Sequence, residues 1–63
     1  MSNDRFLRLP EVIHQTGFSR SSIYRLMELG EFPPLRKIGA VAVAWLESEV
    51  TAWIQERAAA GVR

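Results

Sequence analysis

Proline and glycine divide the 63-residue chain into short blocks, and the spacing of apolar residues inside each block predicts its form. Pro10 suits the first turn of a helix, where its missing N–H would be unpaired anyway, and Gly17 suits a left-handed C-cap, so a first helix is expected over Pro10–Thr16. Val12, Ile13 and Thr16 give that helix one usable face. Ser19 is a good N-cap for a second helix ended by Gly30, with Phe18 before the cap and Ile23 at the fourth helical position placed to form a hydrophobic staple. Ile23, Leu26, Met27 and Gly30 follow the spacing of a buried stripe, which puts Arg20, Ser21, Tyr24, Arg25 and Glu28 on other faces.

Phe32-Pro33-Pro34 cannot lie inside a helix, because each proline removes a donor and restricts the residue before it to extended backbone. Beyond it, Leu35–Ile38 and Val41–Trp45 read as two short strands turning at Gly39-Ala40. Leu46–Ala60 completes the pattern as a third helix, with Glu47 and Glu49 near its positive end and Val50, Trp53, Ile54 and Arg57 along one side. Trp45 and Trp53 fall at core positions and are expected to be buried packing residues rather than platforms for stacked bases.

Residues 1–63 make a single domain with one thin core, since a chain of this length buries only about 60% of its unfolded surface. With no cysteine and only His14 for a histidine, neither disulfides nor a metal can supplement that core, and no cofactor is expected. The polar start Met1-Ser2-Asn3-Asp4-Arg5 has no secretory pattern, and the longest apolar run, Ala40–Leu46, is far below the roughly 20 residues that cross a bilayer. The expectation is a soluble cytoplasmic protein without membrane contact. The serines lack a base and an orienting acid, and so small a domain has little room for a water-excluding pocket, which argues against an enzyme.

The net charge of +1 is unevenly spread. Residues 1–37 carry six cations and four acids, and the remainder two cations and three acids, so any basic face lies in the first part. There the first two helices are joined only by Gly17-Phe18-Ser19, the short glycine-containing connection of a helix-turn-helix. The second helix would be the reader, with no acidic side chain from Phe18 through Met27 to repel phosphate. Ser19, Arg20, Ser21, Ser22, Tyr24 and Arg25 supply hydroxyls and guanidiniums suited to phosphate oxygens and base edges. The plain alternative is that Ser19 caps, Ser21 and Ser22 are surface, and the arginines are solubilising charge.

The order Arg8-Leu9-Pro10-Glu11-Val12, Thr16-Gly17-Phe18-Ser19-Arg20-Ser21-Ser22-Ile23-Tyr24-Arg25-Leu26, Phe32-Pro33, Gly39 and Trp45-Leu46-Glu47-Ser48-Glu49-Val50 with Trp53-Ile54 closely resembles the AlpA family of prophage regulatory proteins. The resemblance spans nearly the whole chain. It implies a winged helix-turn-helix, mainly α with three helices and a small β-hairpin wing, related to excisionase and MerR-like DNA-binding folds. It also implies a regulator of prophage or integrative-element genes that binds specific double-stranded DNA, or an excisionase-type directionality factor. In that arrangement the helix from Ser19 lies in the major groove and residues 36–43 form the wing beside the phosphates, where Arg36 and Lys37 are candidate contacts. Because side chains alternate along a strand, one of the two is expected to face DNA.

The chain departs from its relatives in the wing, where Ala40-Val41-Ala42-Val43-Ala44 is apolar in place of basic residues. An apolar tip makes no charged phosphate contact and offers a surface to another protein, so further copies of the chain or a partner protein bound cooperatively on DNA are expected. A small protein-interaction module without specific DNA binding is the alternative from another class of function.

Overall fold

The computed structural model describes residues 4–60. Its elements are β1 (Phe6–Leu7), α1 (Leu9–Thr16), α2 (Arg20–Glu28), β2 (Arg36–Lys37), β3 (Val43–Leu46) and α3 (Glu47–Ala60). The fold is a winged helix-turn-helix, mainly α, with three helices and the antiparallel β2–β3 hairpin as its wing.

The local signals act where they were expected. Pro10 occupies the first turn of α1, and Gly17 ends that helix at φ 78°, donating its N–H to the Ile13 carbonyl at 2.8 Å. Ser19 caps α2, its hydroxyl oxygen accepting the Ser22 N–H at 3.2 Å. At the other end Gly30 (φ 72°) donates to the Met27 carbonyl and Glu31 to the Leu26 carbonyl, the paired bonds of a Schellman motif. Ile23 is fully buried and Leu26 and Met27 pack against the core, but Gly30 is exposed: it stops the helix instead of extending the stripe.

The hairpin is shorter than its apolar sequence predicts. Arg36 pairs with Ala44 and Lys37 with Val43, and the Ile38 N–H reaches the Ala42 carbonyl at 2.9 Å, so the turn holds Gly39, Ala40 and Val41. Val41, expected to begin a strand, is the tip and is 97% exposed. Leu46, expected to begin α3, instead ends β3, because its partner is Phe6 of a strand that the polar start of the chain conceals. β1 makes the sheet three-stranded in the order β1-β3-β2.

Leu7, Val12, Ile23, Phe32, Trp45 and Val50 form the core, so every element except β2 contributes a residue. A run of ring contacts crosses it from Tyr24 to Trp45, Phe32, Trp53 and Phe18, with neighbouring centroids 4.7–6.5 Å apart. Trp45 is 1% exposed and its indole N–H donates to the Pro33 carbonyl at 3.0 Å. Trp53 is only partly buried, contrary to expectation. It lies at the edge of the core under the Arg57 guanidinium, 4.7 Å from the ring centroid, and donates to the Glu31 carbonyl at 2.7 Å. The two indoles thus pin the proline-containing strap between α2 and the wing.

The start of α3 is capped from a distance. Asp4 accepts the Ser48 N–H at 2.8 Å and the Ser48 hydroxyl at 2.7 Å, while the Glu47 N–H donates to the Arg5 carbonyl at 2.8 Å. A carboxylate at that end also meets the positive pole of the helix.

Candidate nucleic-acid interface

The first turns of α2 present the candidate side chains. Arg20, Ser21, Ser22, Tyr24 and Arg25 are all exposed, and α2 has no acid in its first turn. At 100° per residue Ser21 and Arg25 lie opposite the Ile23, Leu26 and Met27 side, with Tyr24 on the flank toward the wing. Glu28 shares the outward side, but at the far end of the helix. The exposed polar surface of α2 without an acid is therefore its N-terminal half.

The hydroxyls of this surface are not equivalent. Ser19 and Ser22 are engaged with one another, since Ser19 Oγ accepts the Ser22 N–H and donates to Ser22 Oγ at 3.1 Å. Ser21 has no such bond. Tyr24 is 39% exposed, and its ring rests 6.5 Å from Trp45 between centroids, which leaves the side chain at the border of α2 and the wing.

The two wing cations lie on opposite faces. Cross-strand partners share a face, and Lys37 is opposite Val43, which lines a shallow cleft with Tyr24, Leu35, Trp45, Pro10 and Arg8. Lys37 thus belongs to the α2 side of the wing. Arg36 is opposite the fully buried Ala44 and turns to α3, where both Glu49 carboxylate oxygens accept from its guanidinium. Those hydrogen bonds, and then the charge of Glu49, raise the Arg36 pKa above its ordinary value.

Ion pairing separates the cations in the same way. Among the described residues Arg5 pairs with Glu11 and Glu47, Arg36 with Glu49 and Arg57 with Glu31. Arg8, Arg20, Arg25 and Lys37 have no ion-pair partner among the described residues, and they lie on α2, on the wing or just before α1. Glu11 is held below the usual carboxylate range, chiefly by the Arg8 N–H donated to it at 2.9 Å and then, against some desolvation, by the Arg5 side chain and the charges of Arg5 and Arg8.

Arg8 is the residue that sequence reading missed as a candidate. It sits at the helix start in a mixed-charge stretch, and only the pairing of β1 with β3 and the packing of α1 on α2 bring it into one cleft with Tyr24 and Val43. His14 is exposed, and among the described residues no group of three His, Cys, Asp or Glu side chains is placed to hold a metal. No helix among them is long and apolar enough to cross a membrane.

Known proteins carry the same sequence pattern. The family described as Prophage CP4-57 regulatory protein (AlpA) matches residues 5–58. The chain is 56% identical over 59 residues to the uncharacterized protein ORF88 of Enterobacteria phage P4, covering 94% of this chain and 67% of that protein. It is 37% identical over 59 residues to the DNA-binding transcriptional activator AlpA of Escherichia coli K12, covering 84% of each. No solved structure matches it. With the match running from β1 to within two residues of the end of α3, and the helix-turn-helix and wing both inside it, the chain belongs to the AlpA family of prophage regulatory proteins.

Proposed function

We propose that this protein is a sequence-specific double-stranded DNA-binding transcriptional regulator of a prophage or integrative element. The observation that carries the reading is the exposed first half of α2, with Arg20 and Arg25 outside any ion pair among the described residues and Ser21 between them, on a helix-turn-helix whose short connection is held by Gly17 and Ser19. Arginine grips guanine O6 and N7 with two bonds, and a hydroxyl serves phosphate or a base edge. Ser19 and Ser22 shape the helix start, where backbone N–H groups attract a phosphate. Tyr24 and Lys37 extend the contact toward the wing, and Arg36 contributes by holding the wing to α3. The E. coli relative, named as a DNA-binding transcriptional activator, supports the same class of action.

A module of this size covers only about 600–1,000 Å² of DNA. Tight occupancy therefore calls for neighbouring copies or a partner protein, and the exposed apolar residues Val41 and Leu29 are surface through which they would touch. Selection of duplexes from a random pool, followed by titration against scrambled competitor at physiological salt, tests the reading. Enrichment of one motif is expected. Salt-sensitive binding without sequence preference would instead leave a module that associates with DNA only through charge.

A further inference from the structure

We infer that Arg8 and Lys37 form a clamp for the DNA backbone on the two sides of the Tyr24 cleft, so that the stretch entering α1 is a contact element beside α2 and the wing. The inference rests on the reading of α2 as the helix that meets DNA. Arg8 lines the cleft together with Pro10, Tyr24, Leu35, Val43 and Trp45. Lys37 is the cross-strand partner of Val43 and shares its face.

The sheet order sets the span. β3 lies between β1, which leads directly into Arg8, and β2, which carries Lys37. Two strand spacings put those backbones about 10 Å apart. With long side chains on each, the pair brackets a length of sugar-phosphate backbone instead of a single phosphate. Tyr24 stands between them, 39% exposed and backed by Trp45, so its position is set by packing.

The charges near the cleft favour an anion. The nearest acid to Arg8 in sequence is Glu11, and its carboxylate is engaged by the Arg8 backbone N–H at 2.9 Å and by Arg5 at 3.3 Å. The Arg8 guanidinium is left outside ion-pair distance of any acid among the described residues, and so is the Lys37 ammonium. No acid lines the cleft. The cations elsewhere on the described surface, Arg5, Arg36 and Arg57, are all paired. A polyanion docking on α2 meets Arg8 and Lys37 as the remaining described cations outside an ion pair, and the wing tip between residues 38 and 42 adds no charge.

The test is the salt dependence of binding to a duplex selected from a random pool and to a scrambled duplex, for the full chain and for Arg8→Gln, Arg8→Met, Lys37→Gln and the Arg8→Gln/Lys37→Gln double variant. Thermal melts by circular dichroism confirm that each is folded, and Arg8→Met keeps most of the apolar stem. Each phosphate contact contributes about 0.9 to the slope of log K against log salt. Each single variant is expected to flatten the slope by about one unit and the double variant by about two, with both duplexes weakened alike. Arg5→Gln and Arg57→Gln, which remove paired cations, are expected to keep the parent slope. If the parent binds the selected duplex and both Arg8 variants keep its slope, the clamp is overturned while the reading of α2 stands. If the parent prefers no sequence, the proposed function itself falls.

Discussion

Arg36 on β2 and Glu49 on α3 form a two-bond ion pair across the back of the wing, on the face turned from Tyr24. An exposed pair of this kind contributes little to stability, but two parallel bonds fix orientation well. Its effect is to neutralise one of two adjacent cations and to leave Lys37 as the wing charge directed to the α2 side. Arg36→Gln should therefore leave the salt slope of DNA binding unchanged, whereas Lys37→Gln reduces it by about one unit. The charge-swapped pair Arg36→Glu/Glu49→Arg should bind DNA more like the parent than Arg36→Glu does. Parallel titrations on one duplex read these differences, and equal slope losses at Arg36 and Lys37 would contradict the division of roles.

Asp4 and Ser48 connect the first described residue to the start of the last helix through two hydrogen bonds. Loss of a helix cap costs about 0.5–2 kcal/mol. Asp4→Ala should lower the free energy of unfolding by about 1 kcal/mol, and Asp4→Asn, which keeps one acceptor, by less. Urea unfolding followed by tryptophan fluorescence measures both. Equal stability of Asp4→Ala and the parent would show that α3 starts without that cap.

Trp45 and Trp53 differ in burial and should differ in cost. Trp45→Ala removes a side chain that is 1% exposed and should cost about 3–5 kcal/mol, enough to unfold most of so small a domain. Trp53 is partly exposed, and Trp53→Ala should cost less than Trp45→Ala. Trp53→Phe keeps the aromatic edge against Phe32 but loses the bond to the Glu31 carbonyl, at a cost of about 1 kcal/mol. Calorimetric melts of the three variants give the order, and a more stable Trp45→Ala than Trp53→Ala would reverse this account of the core.

Glu11 gives a pH dependence of definite sign. Its pKa in the folded chain lies below the ordinary carboxylate value, chiefly because the Arg8 N–H bonds to the ionised form. A depressed carboxylate contributes stability that is complete above its unfolded pKa and is lost as pH falls through the lowered folded value. The parent should lose stability over that acid range, and Glu11→Gln should show a flatter profile there, with the two converging at low pH. Urea midpoints between pH 3 and 7 provide the comparison. Parallel profiles would remove Glu11 from the acid response.

The parts of this fold that were readable in advance are those with local causes. Gly17, Ser19, Gly30 and Pro10 act within a few residues of themselves, so the limits of α1 and α2 follow from the chain alone, except that α1 begins at Leu9, one residue before the expected Pro10. β1 depends on Phe6-Leu7 meeting Leu46 and Trp45 some forty residues later, and nothing in a dipeptide between polar residues signals that pairing. The same distant pairing draws Leu46 into the sheet and delays α3 by one residue. For the site, alternation along β2 required one wing cation to turn away, but only the packing of α3 selects Arg36. Arg8 was invisible as a candidate because its neighbours Tyr24 and Val43 reach it through the tertiary fold.

The central claim is that α2 reads the sequence of duplex DNA, and the ratio of affinities for a selected and a scrambled duplex tests it most directly. That ratio should be measured by anisotropy at one fixed salt concentration for the parent, Arg20→Ala and Arg25→Ala, each shown to be folded. A side chain that contacts a base edge supplies about 1–3 kcal/mol of discrimination, so the ratio should collapse roughly fivefold to 150-fold for at least one variant. The other, if it meets phosphate, should weaken both duplexes together. Two folded variants that retain the parent's affinity and its ratio would contradict the assignment of α2 as the reading helix.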